Sequence, residues 1–101
     1  MPDFVLDHVV IAVRDLDAAT ADYTAIFGRE PSWRGEHPQY GTRNTLYRVD
    51  NTYIELLALA DGGKKKDGRW AGELSRFLER GEGVYALALG VDDVNRAVRE
   101  I

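Results

Sequence analysis

The stretch from Leu6 to Asp17 decides more than any other about what this chain can become. Leu6 to Val13 is almost wholly apolar and rich in β-branched residues, the composition of a strand covered on both faces. Such a strand is central in its sheet or packed beneath a helix. Alternation puts Leu6, His8, Val10 and Ala12 on one face and Asp7, Val9, Ile11 and Val13 on the other. His8 is then the one polar group on an otherwise apolar face. Asp15 can cap a helix whose apolar positions Leu16, Ala19, Tyr23, Ile26 and Phe27 recur at intervals of three and four, and Gly28 supplies the stop. That helix should cover the Val9 and Ile11 face. His8 is left looking the other way, toward a cavity or a second sheet.

Further along, Pro31 suits the start of an edge strand, predicted over Ser32 to Gly35, and His37-Pro38-Gln39-Tyr40-Gly41 reads as a loop. Thr42 to Val49 alternates, with Arg43, Thr45, Tyr47 and Val49 opposed to Asn44, Leu46 and Arg48, as in a strand with one solvated side. Asp50-Asn51 tolerate the positive φ of a two-residue hairpin, so Thr52 to Leu59 should return antiparallel, with Tyr53, Glu55 and Leu57 on one face. The glycine- and lysine-rich run from Asp61 to Gly68 reads as a surface connection. A second helix is expected from Trp70 to Arg80, with Trp70, Leu74, Phe77 and Leu78 at helical spacing and Gly81 ending it. Its aromatics read as core packing rather than as a ligand box. Val84 to Val91 is a further apolar strand, and Asp92 or Asp93 can cap a helix opening with Val94, Ala97, Val98 and Ile101.

Val13-Arg14-Asp15-Leu16 overlays Val91-Asp92-Asp93-Val94 at one constant offset, and the apolar strands before them superpose as well. The chain thus reads as a strand–helix start used twice. Within one domain at most, residues 1–60 form a first unit, 61–82 a linker with a helix, and 83–101 the beginning of an incomplete second unit.

Several function classes drop out. The chain holds no cysteine, which removes disulfides, thiolate metal sites and cysteine nucleophiles. It lacks a serine–histidine nucleophile constellation and a glycine-rich phosphate loop. A net charge of −4 argues against nucleic acid as partner. Without a membrane-length apolar run or a basic leader, the expected location is the cytoplasm and no membrane partner is expected.

The segments Leu6 to Ala19, His37 to Asn44 and Tyr53 to Leu57, in this order, resemble the vicinal oxygen chelate superfamily and its glyoxalase-like branch. The resemblance implies an α+β fold of paired βαβββ modules, here one module and the strand and helix that start a second, each curling into half of a cup around a divalent metal. It implies a first-strand histidine and a last-strand glutamate as ligands, which map onto His8 and Glu55. Zn, Fe, Mn or Ni would suit such a donor set. His37 is a candidate third ligand. The repeat offset places Ala86 where a second histidine would stand, and alanine binds no metal.

Two functions follow from the resemblance. One is a metal-dependent lyase, isomerase or dioxygenase acting on a small substrate with adjacent oxygens, with Glu55 or a neighbouring base moving a proton. The alternative is a metal-free module that sequesters a small molecule by stacking on Tyr47, Tyr53 or Trp33. Tyr40, Tyr47 and Tyr53 are candidate pocket residues and Arg43 a candidate anion clamp. Without a metal, His8 is a satisfied cavity histidine and Glu55 is partnered by Arg34, Arg43 or Arg48. The open sheet edge of an incomplete second unit points to a homodimer.

Overall fold

The computed structural model describes residues 4–60 and 68–91. Its elements run β1 (Phe4–Ala12), α1 (Leu16–Phe27), β2 (Trp33–His37), β3 (Thr42–Arg48), β4 (Tyr53–Leu59), α2 (Arg69–Arg80) and β5 (Gly83–Val91). The strands form one sheet in the order β2-β3-β4-β1-β5, with β1 parallel to β4 and antiparallel to β5. The apolar run of β1 is therefore interior to the sheet. From its end the chain crosses by α1 to the far edge, β2, and two antiparallel pairings bring it back to β1.

Local chemistry sets the boundaries of α1. The Asp15 carboxylate accepts from the Ala18 N–H at 3.0 Å, satisfying one orphan donor of the first turn. Gly28 takes φ 66° and returns its N–H to the Thr24 carbonyl, a left-handed stop that favours glycine. The apolar face of α1 closes on Val13, Tyr47, Leu56 and Ala58, with Ile11, Ala19, Tyr23 and Ile54 around them. The helix thus covers the face of β1 that alternation assigned to it. Burying Leu56 completely stabilises this layer by about 1.5–3 kcal/mol.

The other face carries α2. Leu74 and Leu78 pack on Ala12, with Leu57, Leu59, Phe77 and Tyr85 beside them. A guanidinium pins the helix down: Arg14, just past the end of β1, donates to the Leu78 carbonyl from Nε at 3.1 Å and from a terminal nitrogen at 2.7 Å. Its backbone N–H meets the Glu82 carboxylate. Carbonyls in the last turn of a helix lack helical donors, so a cation there both bonds and complements the dipole.

Two expectations change, and one apolar strand is less covered than its composition suggests. The edge strand starts at Trp33 and runs to His37, beyond the predicted Gly35. Neither side of β3 is freely solvated, because Asn44 is only 5% exposed on the face opposite α1. The apolar character of β5 does not mean burial, since Val84, Leu87 and Leu89 are exposed. The lysine cluster and the second capped helix fall outside the described residues. Among those described, no helix is long and apolar enough to cross a membrane.

Candidate functional site

On the face opposite α1, the parallel pairing of β1 with β4 sets His8 beside Tyr53, and their rings stack at 4.4 Å and 8°. Glu55 follows on the same face. Its Oε1 lies 3.4 Å from His8 Nε2, with the two side chains 14% and 18% exposed. Two ligands held on one ion at about 2.1 Å, with angles between 90° and tetrahedral, stand about 3.0–3.4 Å apart. The pair has the span of one edge of a coordination polyhedron.

The surroundings fix that edge. His8 Nδ1 donates to the Asp7 carboxylate at 2.7 Å, which turns Nε2 toward Glu55. A histidine held by a carboxylate on one nitrogen and free to ligate with the other is the usual arrangement at metal sites. Asn44 Nδ2 donates to Glu55 Oε2 at 3.0 Å, holding the opposite oxygen. The buried Asn44 Oδ1 has no partner among the described residues. The Tyr53 hydroxyl is pushed above the usual phenol range, first by burial and then by the Asp7 and Glu55 carboxylates, so it stays neutral.

Sequence reasoning missed Asp7 and Asn44. Strict alternation sends Asp7 to the α1 face, but the pairing of β1 with β5 slips between Leu6 and His8, and the carboxylate reaches its neighbour's ring. Asn44 carried a signal in being polar on the face that Glu55 shares across the strand pair.

The other candidates stand elsewhere. His37 is on β2, two strands beyond β4, so its backbone is about 14 Å to the side of β1. The structure does not bring it to the His8–Glu55 pair, and no group of three His, Cys, Asp or Glu side chains converges among the described residues. Tyr47 is fully buried beneath α1, where its hydroxyl bonds Thr20 and Thr24; it lines no ligand space. Arg43 faces Asp17 and Glu36 on the α1 side and clamps nothing near His8. Arg34 takes Asp17 at 2.6 Å and holds that carboxyl below the usual range. Neither arginine partners Glu55; the Asn44 amide does, and His8 Nε2 stands 3.4 Å from its other oxygen. Tyr40 lies beside Trp70 and His37 at the far end of the His8 face. Position 86 sits in the row of Glu55 across the sheet, since Val10 pairs with both Glu55 and Ala86, and its methyl adds no donor.

A histidine from the first strand meets a glutamate from the fourth across the β1–β4 parallel pairing, the two positions that the resemblance to the vicinal oxygen chelate superfamily points to. The glyoxalase-like domain model matches residues 6–101, and the chain belongs to that family. It is 32% identical over 96 residues to the mitochondrial methylmalonyl-CoA epimerase of Homo sapiens, covering 95% of this chain and 51% of that protein. To the ethylmalonyl-CoA/methylmalonyl-CoA epimerase of Cereibacter sphaeroides it is 33% identical over 92 residues, covering 88% and 62%. Its fold matches a variant methylmalonyl-CoA epimerase of Streptomyces coelicolor in complex with 2-nitronate-propionyl-CoA, with TM-score 0.72, 26% identity, and 95% and 66% of the two chains covered. The chain thus spans about half the length of the human relative.

Proposed function

We propose that this chain carries part of the active site of an isomerase acting on a small acyl thioester with an acidic carbon–hydrogen bond, of the alkylmalonyl-CoA kind. The observation that carries the reading is the convergence of His8 Nε2 and Glu55 Oε1 at 3.4 Å, with Asp7 and Asn44 holding their far sides. Of the three reaction classes open to the fold, isomerisation is the one in the names of the similar proteins. His8 and Glu55 would hold a divalent ion, and the remaining ligands would come from outside this pair, because Ala86 supplies none. When bound, such an ion polarises a carbonyl oxygen and stabilises the negative charge left as the neighbouring carbon loses its proton.

The chain's own groups divide the rest of the work. Asn44 occupies one oxygen of Glu55 and leaves the other toward His8, which commits Glu55 to holding rather than to proton transfer. Tyr53, kept a neutral phenol, stacks on the His8 ring and holds its plane beside Glu55. Inversion at carbon needs proton removal on one face and return on the other, so the base belongs to a group beyond the His8–Glu55 pair. The apolar side chains Val84, Leu87 and Leu89, exposed on the edge strand β5, support pairing with a second copy of the chain.

The test is elemental analysis of the purified protein after equilibration with Zn, Mn, Fe and Ni, beside deuterium exchange at C2 of methylmalonyl-CoA in heavy water. Near-stoichiometric metal, lost in His8→Ala and Glu55→Ala, and metal-dependent exchange are expected. No metal and no exchange would overturn the reading in favour of a metal-free binding module, which the presence of only two converging donors among the described residues would then explain.

A further inference from the structure

Two residues beyond Glu55 on the same face of β4, about 7 Å along the strand, Leu57 forms part of the floor of a 320 Å³ cavity. Leu74 of α2 completes that floor, and the rings of Tyr40, Trp70 and Tyr85 stand around it. His37 and Thr42 close the β2 side. No carboxylate, lysine or arginine is among the described residues that line it. The volume falls within the small-ligand range of about 300–1,000 Å³ and equals about ten waters of liquid.

The walls are built for rings. Tyr40 meets Trp70 edge to face, with centroids 6.4 Å apart, and His37 meets Tyr40 the same way at 6.2 Å. Tyr40 and Trp70 nevertheless remain 45% and 55% exposed, so much of their ring area awaits cover. Tyr40 is held in place: its turn is closed by N–H bonds of Tyr40 and Gly41 to the His37 carbonyl, and Ala60 at the end of β4 donates to the Gly41 carbonyl. Phe77 packs edge-on against Tyr85 at 5.0 Å and fixes the opposite wall. Burial pushes the Tyr85 phenol above its usual range, so this wall presents a neutral donor. Apolar floor, uncharged lining and pre-set aromatic edges together favour a flat, neutral ring over an alkyl chain or a phosphate.

We infer that this cavity receives a flat apolar ring carried by the substrate whose oxygens meet His8 and Glu55, so that the acyl group bears an aromatic substituent in place of the methyl of methylmalonyl-CoA. The inference rests on the function proposed above for its oxygen-binding end. The ring site itself does not need the metal.

The experiment titrates 2-naphthol and 1-octanol into the protein, followed by proton–nitrogen correlation spectra. In a Trp33→Phe variant, which leaves Trp70 as the one tryptophan, fluorescence gives a second readout. Saturable binding of 2-naphthol is expected, at least tenfold tighter than 1-octanol and at least tenfold weakened by Trp70→Ala, with the Trp33→Phe change neutral. The double variant His8→Ala, Glu55→Ala should bind 2-naphthol as the wild type does, so a failed metal reading leaves this result standing. With metal present, benzylmalonate should bind at least tenfold tighter than methylmalonate, and Trp70→Ala should erase that preference. Equal binding of naphthol and octanol, a neutral Trp70→Ala, or equal binding of the two malonates by protein shown to hold metal would overturn the inference, while metal uptake would be untouched.

Discussion

Tyr47→Phe separates a structural tyrosine from a ligand-binding one. The side chain is fully buried between β3 and α1. Its hydroxyl donates to the Thr20 carbonyl at 2.9 Å and accepts from Thr24 Oγ1 at 2.8 Å, so one oxygen ties the strand to two successive turns of the helix. A buried hydrogen bond contributes about 0.5–1.5 kcal/mol net, and here two are lost while the ring stays packed. The Thr20 carbonyl is still within reach of the Thr24 hydroxyl by the i−4 pattern, which recovers part of the loss. The expected destabilisation is therefore about 1–2 kcal/mol, a fall in Tm of about 4–16 °C for a domain of this size. Urea unfolding followed by far-ultraviolet circular dichroism measures it, with an unchanged m-value marking a loss of stability alone. Binding of 2-naphthol should not change. A loss below about 0.5 kcal/mol, the range of ordinary surface substitutions, would refute the buried network, and lost naphthol binding with full stability would return Tyr47 to the ligand site.

Arg14→Ala removes two charge-assisted bonds to Leu78 and the cation at the end of α2, and should cost about 1.5–3 kcal/mol, with hydrogen exchange in α2 accelerating more than in α1. Ala86→His places an imidazole in the cross-sheet row of Glu55; if His8 and Glu55 hold an ion, calorimetric titration should show at least tenfold tighter divalent metal binding, and an unchanged affinity would count against that placement.

The first half of the fold was legible because its signals are local. The β-branched run of β1, the Asp15 cap, the Gly28 stop and the Asp50-Asn51 hairpin each act within a few residues, and α1 covers the face that period-two alternation left for it. The face that Glu55 takes was legible for the same reason, since period-two alternation sets it with Tyr53 and Leu57. Alternation failed at Asp7, where a slip in pairing with a distant strand redirects one carboxylate, and the apolar side chains of β5 say nothing of how much of them is covered.

By itself, then, the order of residues determined the elements, the caps of α1 and, outside the slip at Asp7, which side chains share a face, because backbone propensity and side-chain period are properties of neighbours along the chain. It could not determine distance across the sheet. Whether His37 joined His8, whether Tyr47 and Arg43 faced the ligand side, and whether Trp70 packed inward or stood at a cavity mouth all depended on strand order and on which helix covers which face. Those are set when non-local apolar surfaces meet, and that meeting put His8 against Glu55 and left His37 at the sheet's far edge.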